Sequence, residues 1–257
     1  MITCPNVKIN LGLSVLRRRS DGYHDLETLF VPYMPIHDTL EIVEADTFGI
    51  DIIKEGGADW DPQQDLTAKA WRLLEADFHI PPVHIRLTKT SPVGAGLGGG
   101  SSDAAFTLKM LSEMFSLGLD DAALASYAAR LGSDCAFFVY NRPMIGEGRG
   151  EVLTPFDIDL SSYELQVVVP EGIAVSTKEA YGGITPREAA GSTLPSLREA
   201  LAMPVSEWKD ALANDFETTV FAAHPELAAI KRSLYDSGAV YASMSGSGSA
   251  LFALYSR

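Results

Sequence analysis

Apolar and polar residues alternate one by one between residues 6 and 16, with apolar side chains at Val7, Ile9, Leu11, Leu13 and Val15. Because successive side chains of a strand point to opposite faces, this pattern predicts a β-strand that buries one face. Lys8 and Asn10 then lie side by side on the opposite face. A similar alternation over residues 83–87 predicts a second half-buried strand.

Helical spacing begins after residue 102, where Ala104, Leu108, Leu111 and Phe115 mark one face. Other helices are predicted over residues 67–78, 120–131, 205–213 and 225–236, and other strands over 39–43, 50–53, 163–170, 240–244 and 250–255. The Gly-, Pro-, Ser- and Thr-rich stretch 182–204 predicts a surface loop with one short helix. Strands and helices mix without steady βαβ alternation, which favours an α+β fold. The predicted domains are residues 1–157 and 158–257.

Between the strand at 83–87 and the following helix, five glycines fall within seven residues, at 94, 96, 98, 99 and 100. A glycine loop that leads from a strand into a helix N-terminus is a typical phosphate site, because free N–H groups and the helix dipole point at the anion. No lysine follows the loop, so it is not a Walker motif. Residues 94–99 match G-x-G-x-x-G, but Glu113 and Asp120 do not end a second strand as a dinucleotide fold requires. A dinucleotide-binding oxidoreductase is therefore only an alternative interpretation of this loop.

The net charge of −14 and the pI near 4.7 argue against nucleic acid as a partner. No apolar run reaches the length of a membrane span, and the N-terminus lacks the layout of a signal peptide. Two cysteines give no disulfide framework, which is typical of a reducing cytoplasm. We expect a cytoplasmic protein, monomeric or homodimeric, that acts on a small molecule.

Three stretches together resemble the GHMP kinase superfamily: Pro5–Leu11, Pro92–Ser102 and Ser243–Ser249. The resemblance implies two domains, an N-terminal ATP domain of the ribosomal protein S5 domain 2-like type and a C-terminal ferredoxin-like α/β sandwich. Relatives usually continue with a further helix and strand beyond the position of Arg257. A shortened C-terminal domain is therefore expected, whose sheet either has an open edge or is completed in some other way.

Further segments narrow the resemblance within the superfamily: Lys8–Leu11, Asp21–His24, Leu131–Asp134, Gly146–Glu151 and Asn214–Glu217. They imply transfer of the γ-phosphate of ATP, with Mg²⁺, to the 2-hydroxyl of a cytidine-diphosphate-linked methylerythritol. This reaction belongs to an isoprenoid-precursor pathway that does not use mevalonate. A GHMP kinase for another small alcohol, of the homoserine or mevalonate type, is the nearer alternative.

For catalysis, the resemblance implies that Asp134 takes the hydroxyl proton and that Lys8 lies beside it. A neighbouring ammonium keeps a carboxylate base ionised and screens the charge of the transferring phosphoryl group. Without the resemblance, Asp134 would be interpreted as a helix N-cap and Lys8 as a solvated strand residue.

For the acceptor, the resemblance implies that Tyr23 and His24 bind the cytosine and that Tyr181 covers the opposite face of the base, with Thr177 nearby. Aromatic stacking and hydrogen bonds to the base edge are common in recognition of unpaired bases. Asn10 is expected to bind a substrate hydroxyl or phosphate. The alternatives are loop packing for Tyr181 and an internal strand-end hydrogen bond for Asn10.

For ATP, the resemblance implies contacts from Asp65 and Leu66 near adenine and from Lys89 at the nucleotide pocket. Aspartate replaces the asparagine usual in the family at position 65, which removes an amide donor. An exposed strand-end lysine is the alternative for Lys89. Asp103, in the first turn after the loop, would repel phosphate unless it turns away or holds Mg²⁺. The loop completes the ATP set: Pro92, Val93, Gly94, Ala95, Gly96, Leu97, Gly98, Gly99, Gly100, Ser101 and Ser102.

Overall fold

The computed structural model describes residues 1–257. The strands are β1 (Ile2–Thr3), β2 (Asn6–Arg18), β3 (His24–His37), β4 (Thr39–Glu44), β5 (Gly49–Lys54), β6 (Val83–Lys89), β7 (Met144–Gly148), β8 (Val152–Pro155), β9 (Tyr163–Val168), β10 (Tyr241–Met244) and β11 (Leu251–Ser256). The helices are α1 (Leu66–Phe78), α2 (Gly99–Met114), α3 (Asp121–Ala129), α4 (Cys135–Tyr140), α5 (Thr177–Tyr181), α6 (Arg187–Ala190), α7 (Leu197–Leu201), α8 (Trp208–Ala211), α9 (Phe216–Ala223) and α10 (Pro225–Asp236). Two 3₁₀ turns cover Pro62–Gln64 and Val205–Glu207.

The chain divides into two compact units. The first contains Met1–Lys8, Pro32–Val93 and Gly98–Arg142, and the second contains Ile9–Val31, Gly94–Leu97 and Pro143–Arg257. The division of the sequence near residue 157 into two domains stays a prediction.

The first unit holds a four-stranded sheet in the order β1-β4-β6-β5. Strand β6 pairs antiparallel with β4 and parallel with β5, and Leu40 lies opposite Leu87 while Ile42 lies opposite Ile85. These four side chains are fully buried, as are Leu108 and Leu111 of α2. Alternate positions of β4 and β6 therefore supply the apolar core on which the site-bearing helix α2 rests.

A three-stranded sheet in the order β10-β11-β9 lies in the second unit, and a further four-stranded sheet runs β2-β3-β7-β8. One apolar cluster joins the end of β2, the helices α5, α9 and α10, and the strands β10 and β11; its members include Leu13, Val15, Phe216, Leu227 and Leu251. The last strand, β11, is paired on both sides, so the edges of its sheet are β9 and β10. Both edge strands come from earlier parts of the chain than β11, and the expectation of an open edge or another completion of this sheet stays a prediction.

The predicted first strand is confirmed as β2, but the prediction of a single buried face is wrong. All ten residues 6–15 are buried, including Lys8, Asn10 and Ser14. Buried polar side chains need hydrogen-bond or ionic partners. Lys8 has the carboxylate of Asp134 and Asn10 has the hydroxyl of Thr28, so the polar face of the strand is covered.

Other boundaries differ because tertiary contacts override local preference. Helix α2 begins at Gly99, three residues before the predicted start at 102. The region 182–204 carries two short helices, α6 and α7, rather than one. The predicted helix 205–213 is a 3₁₀ turn followed by the four-residue α8. Strand β3 and helix α9 have no counterpart in the prediction.

Candidate active site

The glycine loop leads from β6 into α2 through three positions with left-handed backbone, Gly94, Gly96 and Gly98, at φ values of 72°, 78° and 72°. Other residues reach this region only at a cost. Gly98 is the N-cap of α2 and offers no side chain to the first turn. Because the first N–H groups of a helix have no partner within it, this end is available to an anion.

At Gly96, the loop lies against the segment that joins β10 to β11. A Cβ added to Gly96 would lie 2.2 Å from the backbone oxygen of Ser245, and the hydroxyl of Ser245 donates to the backbone oxygen of Gly96 at 3.0 Å. The amide of Asn214 donates to the backbone oxygens of Met244 and Gly246, at 2.8 Å each. Two of the segments used for the resemblance therefore hold the glycine loop in place. The sequence indicated both segments but not this contact.

Lys8 and Asp134 form an ion pair, with Nζ 3.4 Å from Oδ2. The Lys8 side chain is 3% exposed and that of Asp134 is 30% exposed. Asp134 occupies the N-cap position of α4, as it would be interpreted without the resemblance, but its side chain makes no capping hydrogen bond. Burial lowers the pKa of Lys8, and the neighbouring carboxylate opposes that shift. The arrangement presents a partly exposed carboxylate beside a buried ammonium.

Lys8 also lies beside the start of α2. A Cβ added to Gly98 would come within 3.2 Å of the Lys8 Cε and 3.1 Å of the Phe138 ring. Only glycine combines this close approach with the positive φ at that position. The loop that lacks a Walker lysine therefore has the Lys8 side chain against the N-terminus of its helix.

Among the residues predicted to bind cytosine, His24 and Tyr181 are brought together and Tyr23 is not. The His24 and Tyr181 rings stack with centroids 4.9 Å apart, and Tyr181 meets Phe216 edge-on at 4.7 Å. Tyr23 is 57% exposed, and the Arg149 guanidinium lies 5.1 Å from its ring centroid.

Burial, and secondarily the charge of Arg18, lower the pKa of His24. A neutral imidazole donates from one nitrogen and accepts at the other.

Thr177 and Asn10 have different surroundings. Thr177 is exposed, and its hydroxyl lies 3.4 Å from that of Ser247. The Asn10 amide donates to the hydroxyl of Thr28 at 3.1 Å, and its backbone N–H donates to Ser245 Oγ at 3.2 Å. The internal hydrogen bond considered as the alternative for Asn10 is therefore present.

Lys89 is buried, which makes the exposed-lysine interpretation wrong. Its ammonium donates to Asp38 at 2.5 Å, to Asp103 at 2.7 Å and to Ser91 Oγ at 3.0 Å. Asp103 is 1% exposed and turned towards Lys89 rather than towards the loop. No sequence pattern indicated Asp38, a single aspartate between β3 and β4.

Asp65 begins α1 as its N-cap. One carboxylate oxygen accepts from the N–H and hydroxyl of Thr67 at 2.9 and 2.7 Å, and the other accepts from Trp60 Nε1 at 3.0 Å. Aspartate is as good an N-cap as asparagine, which accounts for the residue at this position in structural terms. Leu66 follows as the first residue of the helix.

No group of three or more His, Cys, Asp or Glu side chains is arranged to hold a metal ion. Helices long and apolar enough to cross a membrane are also absent. Both cysteines are thiols, with Cys4 exposed and Cys135 buried.

The family model described as the GHMP kinases N terminal domain matches residues 65–142, and the GHMP kinases C terminal model matches residues 194–257. A 4-diphosphocytidyl-2-C-methyl-D-erythritol kinase of Bacteroides fragilis is 48% identical over 259 residues, covering 100% of this chain and 92% of the relative. The enzyme of the same name from Porphyromonas gingivalis is 46% identical over 257 residues, with 99% and 92% covered.

Among solved structures, a 4-(cytidine 5'-diphospho)-2C-methyl-D-erythritol kinase superposes with a TM-score of 0.80 at 35% identity, covering 99% of this chain and 90% of that one. A homoserine kinase from Cytophaga hutchinsonii shares the fold, with a TM-score of 0.66 at 18% identity over 98% of this chain and 85% of that one. The two-domain α+β architecture implied by the resemblance is confirmed. The chain belongs to the GHMP kinase family, and the two relatives above that are 46% and 48% identical to it are named 4-diphosphocytidyl-2-C-methyl-D-erythritol kinases.

Proposed function

We propose that this GHMP kinase transfers the γ-phosphoryl group of ATP to the 2-hydroxyl of 4-diphosphocytidyl-2-C-methyl-D-erythritol. The observation that carries the proposal is the Lys8–Asp134 ion pair, whose lysine lies against the first residues of the phosphate-binding helix. A carboxylate that is partly exposed and unused as a cap is suited to accept a proton from an incoming alcohol.

In the proposed step, Asp134 removes the proton of the 2-hydroxyl group while the oxygen of that hydroxyl group forms a bond to the γ-phosphorus. The bond from the γ-phosphorus to the β–γ bridging oxygen breaks, and ADP leaves with that electron pair. Phosphoryl transfer depends mainly on positioning and electrostatic stabilisation. The Lys8 ammonium supplies positive charge beside both the carboxylate and the helix N-terminus, and buried charges act strongly because water does not screen them.

The donor phosphates are assigned to the loop and to the first turn of α2, and adenine is assigned to Asp65 and Leu66. The resemblance also implies a nucleotide contact from Lys89. Asp103, the carboxyl group nearest the N-terminus of α2, is paired with Lys89 and is therefore not available to Mg²⁺. The proposal therefore takes Mg²⁺ as part of the incoming ATP complex.

The acceptor base is assigned to His24, Tyr23 and Tyr181, with Thr177 and Asn10 as further substrate contacts. A neutral His24 presents both a donor and an acceptor, which is the combination that the amino group and ring nitrogen of cytosine require. The proposal includes a cytoplasmic location, in keeping with two cysteines that form no disulfide, and a monomer or homodimer.

The proposal is tested by ADP release with 4-diphosphocytidyl-2-C-methyl-D-erythritol, homoserine and mevalonate as acceptors in parallel. We expect turnover with the cytidine-linked alcohol and competitive inhibition by free cytidine nucleotides. Turnover with homoserine or mevalonate alone would place the chain with another member of the family.

A further inference from the structure

We infer that Lys89 is a positioning residue, which binds no nucleotide itself but fixes the first turn of α2 through Asp38, Asp103 and Ser91. The inference rests on the proposed kinase function, because the first turn of α2 is there assigned to the ATP phosphates. It revises the role that resemblance implied for Lys89, from a nucleotide contact to a support of the phosphate site.

The Lys89 ammonium has no donor left for a phosphate. A lysine side chain carries three N–H donors. Here the three acceptors are Asp38 Oδ2, Asp103 Oδ2 and Ser91 Oγ, and the side chain is 4% exposed. A phosphate contact would leave one of the two buried aspartate side chains without its lysine partner, which is costly.

Lys89, Asp38, Asp103 and Ser91 form one hydrogen-bonded cluster. Within this cluster, Asp38 also binds the two residues that precede the glycine loop. One of its oxygens accepts the backbone N–H groups of Thr90 and Ser91, both at 2.7 Å, and the other accepts the Ser91 hydroxyl at 2.6 Å. Residues 90 and 91 directly precede the loop that starts at Pro92. The segment before β4 therefore determines where the loop begins.

Gly99 brings the cluster into contact with the helix itself. A Cβ added to this first residue of α2 would lie 2.4 Å from Ser91 Oγ and 3.4 Å from Lys89 Nζ. Asp103, one turn further along the same helix, accepts a hydrogen bond from the Lys89 ammonium. A shift of Lys89 would therefore move the N–H groups assigned to the phosphates.

The charges of the cluster balance when Asp103 is neutral. Burial, the largest influence, raises the pKa of Asp103 well above its usual range. Burial also disfavours ionisation of Asp38, but Lys89 and the hydrogen bonds from Ser91 outweigh it and hold the pKa of Asp38 below its usual range. Oδ1 of Asp103 has no hydrogen-bond partner, so nothing there stabilises a second negative charge. Of the two carboxyl groups beside Lys89, Asp38 is therefore the one that ionises more readily.

A direct contact and a positioning role make opposite predictions for Asp38→Asn, which keeps the lysine. If Lys89 touched ATP, removing a competing carboxylate would leave nucleotide affinity unchanged or raise it. With Lys89 as a positioning residue, we expect Asp38→Asn to weaken binding of a fluorescent ATP analogue about threefold or more, and Lys89→Met about tenfold or more.

The double variant Lys89→Met/Asp38→Asn removes the charge imbalance and should bind the analogue within about threefold of the wild type. Lys54→Met is the matched control, because Lys54 lies opposite Lys89 on the neighbouring strand but its ammonium donates to the backbone oxygen of Gly57 and not to a carboxylate. The affinity of Lys54→Met for the ATP analogue should equal that of the wild type. The inference is overturned if Asp38→Asn binds as well as the wild type or if the double variant binds no better than Lys89→Met.

Amide hydrogen exchange at residues 99–101 is measured without nucleotide on the same proteins. Exchange should be faster in Asp38→Asn and unchanged in Lys54→Met, and equal exchange in the two would contradict the inference. Both readouts omit the acceptor alcohol. A wild-type protein that binds the analogue but phosphorylates no cytidine-linked alcohol would therefore refute the proposed function and leave this inference standing.

Discussion

The Lys8 Nζ lies 3.4 Å from Asp134 Oδ2, although the two residues are far apart in sequence and one is buried while the other is partly exposed. The buried partner lies against the N-terminus of α2 at Gly98. The buried ammonium of Lys8 is thus held between a carboxylate and the helix end to which the proposal assigns the ATP phosphates.

Asp134→Asn should lower the rate of phosphoryl transfer about 10²–10⁴-fold, the usual contribution of a general base. The amide preserves the shape of the side chain but accepts no proton, so binding of the ATP analogue and thermal stability should stay near wild type. The exposed Asp157→Asn serves as control and should retain full activity. A fully active Asp134→Asn enzyme would remove this carboxylate from the mechanism.

Lys8→Met should abolish most turnover while leaving stability at neutral pH equal to or above that of the wild type. The substitution removes a buried ammonium, and the partner left behind can still reach water. Chemical denaturation at neutral pH measures this difference, and a strongly destabilised Lys8→Met would contradict it.

The difference in stability between the wild type and Lys8→Met should depend on pH. The folded pKa of Lys8 lies below its ordinary value of 10.5, so the unfolded chain keeps the proton in a window where the folded chain has lost it. Wild-type stability therefore rises with pH in that window. The advantage of Lys8→Met should shrink as the pH approaches 10.5. An advantage that grows with pH would mean that the folded pKa is raised.

Binding of cytidine nucleotides should be independent of pH at about pH 8 and should be half lost only below pH 6.5, the ordinary pKa of histidine, because burial lowers the pKa of His24. Affinity should fall only at lower pH, as the ring gains a second proton. His24→Gln, which has a donor and an acceptor but does not titrate, should show no such fall. A wild-type decline already complete near pH 6.5 would contradict the neutral-imidazole assignment.

Gly94→Ala and Gly96→Ala separate backbone strain from steric clash. Both glycines have nearly equal positive φ, 72° and 78°, so each alanine should cost about 1–2 kcal/mol of stability for its backbone. A Cβ at Gly94 meets nothing within 4 Å, whereas one at Gly96 lies 2.2 Å from the Ser245 backbone oxygen. Denaturant titration should show Gly96→Ala less stable by at least a further ~1 kcal/mol. Equal losses would show that the Gly96–Ser245 contact is loose.

Local patterns predicted the elements that carry the site but not their burial. The alternation around Lys8 predicted β2, yet the depth of that strand depends on Asp134 and Thr28, which no local pattern links to it. Strand β3 was missed because Pro32 and Pro35 lie within it, and proline is unfavourable inside a sheet.

The candidate site shows the same limit. The glycine run predicted a phosphate loop from its own composition, and the three segments of the resemblance predicted the family. Asp38 was not predicted, since its partner Lys89 is 51 residues away and a lone aspartate between two strands is an ordinary loop residue. The contact between Asp38 and Lys89 depends on the register of β4 and β6, which no local sequence pattern predicts.

Acceptor specificity tests the central claim most directly. Purified protein is mixed with ATP, Mg²⁺ and 4-diphosphocytidyl-2-C-methyl-D-erythritol, and the position of the new phosphate is determined by ³¹P NMR. The proposed function predicts a phosphate monoester on the 2-hydroxyl, formed together with one ADP. Formation of ADP without that ester, or phosphorylation of homoserine or mevalonate instead, would contradict it.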